Sequence, residues 1–258
     1  MATTPPARPR TRAGTPESRA AAGQGATTAP ASQTLSRGIR ILEVLADAQG
    51  ALTIDDLAAR LGVHRSIAYR LLRTLEDHAL VTRDSAGGVQ LGPRMAALAA
   101  GVAHDLQAAA LPELTAIANE LGMTCFLAVL DRDECITLTS VEPRHAVASV
   151  AQRPGARHPI TVGAPSKVIL ASLPEAEWPV AVDAALRAEI TAAREHGFAT
   201  SHDEVIPTVQ AVAVPLRLRQ GQRPAAIAVV HVGPTGEPSA IAARLTRSAA
   251  AIRDALGA

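Results

Sequence analysis

The feature that most constrains this chain is a turn with room for only two residues. Between residues 53 and 78 two helical runs are separated by little more than Gly62–Val63. In the first run, Ile54, Leu57, Ala58 and Leu61 follow the i, i+3, i+4, i+7 spacing of one helix face. Thr53 followed by Asp56 reads as a capping box, and Gly62 supplies a stop. The second run extends from about His64 to His78. Upstream, Leu35, Ile39, Leu42 and Leu45 step along a further helix that ends by Gly50. Downstream, Val81–Thr82–Arg83 and Val89–Gln90–Leu91 flank Asp84–Gly88, the pattern of a hairpin with a glycine-containing turn. Three short helices and a hairpin thus fall within about sixty residues.

Winding residues 65–78 at about 100° per residue divides the third helix. Ile67, Ala68, Leu71, Leu72 and Leu75 fall on one side; Arg65, Ser66, Tyr69, Arg70 and Arg73 fall on the other. Core packing accounts for the first stripe only. Three arginines with a serine and a tyrosine, mostly in the N-terminal half of the helix, suit major-groove recognition, with Arg on guanine edges and Ser or Tyr on phosphates. Glu76 and Asp77 lie past that zone. A solvated face would carry similar charges. The full arrangement of capped helices, tight turn, basic third helix and hairpin selects the winged helix-turn-helix. The chain has 25 Lys+Arg against 24 Asp+Glu, so any DNA surface must be local.

Beyond Pro93 an alanine-rich helical stretch runs from Met95 to about Leu121, with Pro112 a point of interruption. Thr124–Leu130 and Cys135–Val141 then read as a hairpin, Arg153–Pro159 as a loop and Ala164–Leu173 as a helix. Helical patterns continue to Gly197. Strands over Val209–Leu216 and Ala225–Val232 precede an amphipathic helix over Ile241–Leu256. The class is α+β. With only four aromatic side chains, Tyr69, Phe126, Trp178 and Phe198, the cores must be built from Ala, Leu, Val and Ile. Residues 1–34 are rich in Pro, Ala, Thr, Gly and Arg, and disorder is the expectation there. Cys125 and Cys135 lie in apolar strand patterns and are expected to be reduced and buried. No run of about 18 apolar residues and no apolar leader occurs, so the expected compartment is the cytoplasm, with no membrane contact.

Leu61-Gly-Val-His-Arg-Ser-Ile-Ala-Tyr-Arg-Leu-Leu-Arg-Thr-Leu-Glu76, with Leu80-Val-Thr-Arg-Asp84 after it, resembles the recognition helix and wing of the IclR family of regulators. Gly163-Ala-Pro-Ser-Lys-Val-Ile-Leu-Ala171 resembles the helix of its effector domain, and Arg194-Glu-His-Gly-Phe-Ala199 its R-x-x-G-[YF]-A segment. Val209–Pro215, Ala228–Pro234 and the final helix follow in the family's order. The resemblance implies a winged helix-turn-helix over 35–94, a linker helix over 95–121 and a GAF-like effector domain over 122–258, an antiparallel sheet with flanking helices. It also implies a homodimer or dimer of dimers on a roughly palindromic operator in double-stranded DNA.

The family places its small-molecule effector between the sheet and the loop opening the Gly163–Ala171 helix, where free N–H groups favour a carboxylate. The resemblance carries this site to Gly163, Ala164, Ser201, His202, Asp203, Ala211, Val230 and Val232. Members that bind small keto acids have Cys or Ser where this chain has Ala211, Val230 and Val232. The pocket is therefore expected to be more apolar and the effector to be an apolar or aromatic acid. Two alternatives are a DNA-binding protein with no effector and, more remotely, a thiol-dependent enzyme using Cys125 or Cys135. No HxxxH, CxxC or Gly-x-Ser-x-Gly pattern occurs, so no metal, cofactor or catalytic residue is assigned.

Overall fold

The computed structural model describes Met1 and residues 32–48, 50–145, 150–219, 221–233 and 236–257. The expected disorder of residues 1–34 falls mostly outside these. Where it can be compared it is corrected: Ser32 caps the first helix by accepting from Leu35 N, and Gln33 and Thr34 are helical. The chain divides into two compact units, residues 1–96 and 97–258.

In the first unit, α1 (Gln33–Asp47), α2 (Ile54–Leu61) and α3 (Arg65–Asp77) precede strands β1 (Val81–Arg83) and β2 (Val89–Leu91). The capping box at α2 is complete: Asp56 N donates to Thr53 Oγ1, and Thr53 N donates to the Asp56 carboxylate at 3.0 Å. That bonding holds the Asp56 carboxyl below its ordinary pKa. Gly62 ends α2 in the left-handed region at φ 64°, which the tight turn through Gly62, Val63 and His64 requires. The wing turn is fastened by Asp84 Oδ1, which accepts from Ala86 N and Gly88 N. Leu52 bridges to Val89 and ties the segment before α2 to the wing.

Helix α1 corrects half of the expected face: Leu45 is buried and Leu42 packs against the core as expected, but Leu35 and Ile39 do not. Gly38, Ile41 and Leu45 are buried, whereas Leu35 and Ile39 are 63% and 48% exposed. The helix carries two apolar stripes, and the core takes the one containing Ile41, packed with Leu57, Leu72 and Val89.

The second unit begins within the linker. The expected interruption at Pro112 is displaced: α4 (Arg94–Ala99) ends before Gly101, and α5 (His104–Leu121) runs through Pro112. Ala103, at φ 46°, marks the break. Helix α5 survives its proline because Ala110, Leu114, Ile117 and Ala118 anchor it in the core on both sides of that residue.

A six-stranded antiparallel sheet has the order β5-β4-β3-β8-β7-β6, with β3 Thr124–Asp131, β4 Glu134–Val141, β5 Arg157–Pro159, β6 Ala199–His202, β7 Val209–Leu216 and β8 Ala225–Val232. Alternation sends Leu127, Val129, Val212, Val214, Ile227 and Val229 to one face, under α5 and α8 (Pro238–Ala255). The opposite face is built largely from Ala128, Ala211, Ala213, Ala226 and Ala228. These small side chains let α6 (Ala164–Ser172) lie close on the sheet, with α7 (Ala184–His196) beside it. Arg194 fixes the end of α6 by donating to the carbonyls of Ala171 and Leu173, and Gly197 turns the chain at φ 77°. This gives the Arg194–Ala199 motif its physical sense.

Candidate nucleic-acid interface and effector pocket

Helix α3 is set on the core by Ala68, Leu71 and Leu72, with Ile67 and Leu75 partly buried. Its other face exposes Arg65, Ser66, Tyr69, Arg70 and Arg73. His64 opens the helix as its N-cap: the ring Nδ1 accepts from Ser66 N and lies 2.9 Å from Ser66 Oγ. Arg65 is held by Asp55 of α2 at 2.5 Å, both side chains being more than 60% exposed. Such a pair is weak and easily exchanged for another anion. Among the described residues, Arg70 and Arg73 have no ion-pair partner. Glu76 is answered by Arg83 of the wing in a two-point contact, and the Arg83 guanidinium lies 5.8 Å from the centre of the Tyr69 ring. Glu76 therefore ties α3 to the wing, a role its sequence position did not disclose.

In the second unit, Gly163, Ser201, Ala211 and Val230 line one small cavity beneath the loop 203–208. The other expected site residues lie elsewhere. Ala164 is buried in the core behind α6. His202 and Asp203 are exposed and pair with each other. Val232 is at the open end of β8, 45% exposed. Phe126, Gln152, His158, Pro165, Val205, Ile206 and Val209 complete the wall. They come from separate strands and loops, and no local pattern joins them. The enclosed volume is about 30 Å³. That admits a water molecule, not an organic ligand.

At the start of α6, neither Gly163 nor Pro165, the two residues there that line the cavity, offers it a free N–H. Gly163 N donates to Glu204 Oε2 at 2.8 Å, and Pro165 has no N–H. Glu204 is held in turn by Lys167, whose Nζ lies 2.5 Å from Glu204 Oε1, 3.0 Å from Glu189 and 3.3 Å from the Thr200 carbonyl. Lys167 is 4% exposed, so its charge is tolerated only because these partners surround it. Gly163, at φ 87°, sits where a Cβ would come within 3.1 Å of Val205 and 3.2 Å of His158.

Cys125 and Cys135 are unpaired and buried. Burial raises both thiols, Cys135 to about 12, so neither supplies a nucleophilic thiolate near neutrality. No helix among the described residues is long and apolar enough to cross a membrane.

A winged helix-turn-helix with a basic exposed third helix, followed by a curled antiparallel sheet with helices, defines a DNA-binding transcriptional regulator. Residues 34–85 match the IclR helix-turn-helix domain and residues 99–252 the bacterial transcriptional regulator IclR C-terminal domain. The chain belongs to the IclR family. It is 30% identical over 200 residues to the HTH-type transcriptional regulator Rv1719 of Mycobacterium tuberculosis, covering 72% of this chain and 77% of that one. Its fold is similar to that of an IclR regulator from Alicyclobacillus acidocaldarius, with 28% identity and a TM-score of 0.77, covering 88% of this chain and 99% of that one. It is also similar to an IclR homologue from Microbacterium hydrocarbonoxydans complexed with 4-hydroxybenzoate, with 25% identity and a TM-score of 0.75 over 87% and 99% of the two chains.

Proposed function

We propose that this regulator reads duplex DNA with α3 and changes its operator affinity when a small molecule with an apolar or aromatic body enters beneath the loop 203–208. It acts as a homodimer or dimer of dimers on a roughly palindromic operator and has no catalytic role. The observation that carries the DNA reading is the outer face of α3, where Arg70 and Arg73 stand exposed on a helix fixed to the core by its other side. The apolar wall of Phe126, Val205, Ile206 and Val209 supports the ligand reading, as does the aromatic ligand held by the Microbacterium relative.

A second reading, a DNA-binding protein with no effector, is favoured by the small volume of the cavity. One experiment separates them. Genomic DNA retained by the full chain is sequenced, first alone and then with a library of small aromatic and aliphatic compounds. The expected result is one enriched palindromic motif whose retention shifts with at least one compound. No enriched motif removes the DNA reading. An enriched motif indifferent to the whole library leaves the protein without an effector.

A further inference from the structure

We propose that the outer flank of α8 is a docking groove for an acidic amphipathic helix of a partner protein.

On its inner flank α8 already receives an acidic helix of its own chain. Helix α5 carries Asp105, Glu113 and Glu120 with neither Lys nor Arg, and it packs along α8. Arg244 of α8 lies 2.6 Å from Glu120, and Ser248 Oγ donates to Glu113.

The outer flank repeats this chemistry. Ser239, Ala242, Ala243, Thr246, Ala249 and Ala250 set a row of small side chains along a groove of about 730 Å³. Facing them are Phe198 and, from β7, Val214 and Pro215. Small side chains of this kind let a second helix axis approach to about 8–10 Å. The charged groups of the groove are all basic or titrate as bases: Arg217, Arg247, Arg253 and His196, with no Asp or Glu among the lining residues.

The arginines here differ from their neighbours. Elsewhere in the second unit Arg157, Arg187, Arg223 and Arg244 each face a carboxylate. Among the described residues Arg217 and Arg247 face none. Arg247 donates only to the Ala243 carbonyl one turn back, at 3.4 Å. Arg253 has only the adjoining Asp254, also at 3.4 Å. Guanidinium groups bordering an apolar floor are complementary to carboxylates carried on an apolar body.

Length and charge select the occupant. From Ser239 to Arg253 the groove follows α8 for about 21 Å, the reach of a helix in a groove rather than of a small organic acid. A second copy of this chain does not supply that helix. Among the described residues every α-helix other than α5 carries Lys or Arg, and Glu113 and Glu120 of α5 are engaged by its own α8. The partner is therefore a different protein.

The test titrates the full chain against a fluorescent peptide of three Glu-Ala-Leu-Ala-Ala-Glu-Leu repeats, read by anisotropy. The same peptide with Gln for Glu should bind at least tenfold more weakly, and so should a scrambled peptide of unchanged composition. Arg217→Glu/Arg247→Glu should weaken the acidic peptide at least tenfold. Ala243→Tyr, at an exposed position, should do the same without altering charge, and serves alone should the double variant not fold. Arg70→Gln/Arg73→Gln should have no effect. Loss of binding in that last variant instead places the peptide on α3 and overturns the proposal. Equal affinity for the scrambled or Gln peptide, wild-type affinity in both groove variants, or no binding at millimolar peptide overturns it as well.

Discussion

At the scale of single residues, α3 shows how an arginine face is kept ready for a partner. Arg65 is parked on Asp55, Ser66 leans on His64, and Arg83 stacks near Tyr69 while answering Glu76. The Arg65–Asp55 pair is exposed enough to be exchanged for a phosphate or a guanine edge with little net loss, whereas the part-buried Arg83–Glu76 contact holds the wing on α3. Arg70 and Arg73 need no exchange. If these side chains read bases, Arg70→Ala and Arg65→Ala should each weaken a cognate site by about 1–3 kcal/mol and relax the preference at one base pair. Fluorescence anisotropy on the enriched motif measures this. Wild-type affinity in both variants would remove α3 from the groove. Glu76→Gln is a different kind of change, because it loosens the wing from α3 and alters no candidate contact.

At the scale of elements, the loop 203–208 is the least relaxed part of the second unit. Asp203 and Thr208 both take positive φ, 61° and 67°, and Thr208 is β-branched, the side-chain type least suited to that region. The loop is closed by Thr208 N donating to the Asp203 carboxylate, a backbone bond that does not depend on the threonine side chain. Thr208→Gly should relieve about 1–2 kcal/mol of steric cost and give back part of it as glycine's extra unfolded-state freedom, for a net gain of about 0.5–1 kcal/mol. Urea unfolding followed by the fluorescence of Trp178, the sole tryptophan, reads the second unit directly. An unchanged or lower midpoint would show that the loop carries no such strain. Most helices and the longer strands were legible because their signals are local: a 3.6-residue period, a capping box at Thr53 and Asp56, a glycine at Gly62. Strands β5 and β6 were not, since three or four residues such as Arg157–Pro159 and Ala199–His202 carry no alternation. The pocket was legible in part. Gly163, Ser201, Ala211 and Val230 came from the motifs, whereas Phe126 and His158 are brought there, and the Glu204–Lys167 pair set against Gly163, only by tertiary packing across intervals no pattern records. Periodicity also failed to choose between the two stripes of α1, because Leu35 and Ile39 fit a helical face as well as Gly38 and Ile41 do.

At the scale of the molecule, that unchosen stripe has a consequence. A net formal charge of +1 gives no long-range pull toward DNA, so affinity for an operator must come from the small basic face of α3 presented more than once. The proposed dimer supplies the second copy, and Leu35 with Ile39 offers an apolar surface through which two such units can meet about a twofold axis. Both side chains are already exposed, so Leu35→Asp/Ile39→Asp should leave the fold of the unit intact, which the far-ultraviolet circular dichroism checks. Burying a large apolar side chain contributes about 1.5–3 kcal/mol, so the double replacement should raise the dimer dissociation constant at least tenfold in sedimentation equilibrium. Operator affinity should fall with it, and binding to a single half-site should not. A dimer of undiminished strength would place the contact on another surface and leave the α1 stripe unexplained.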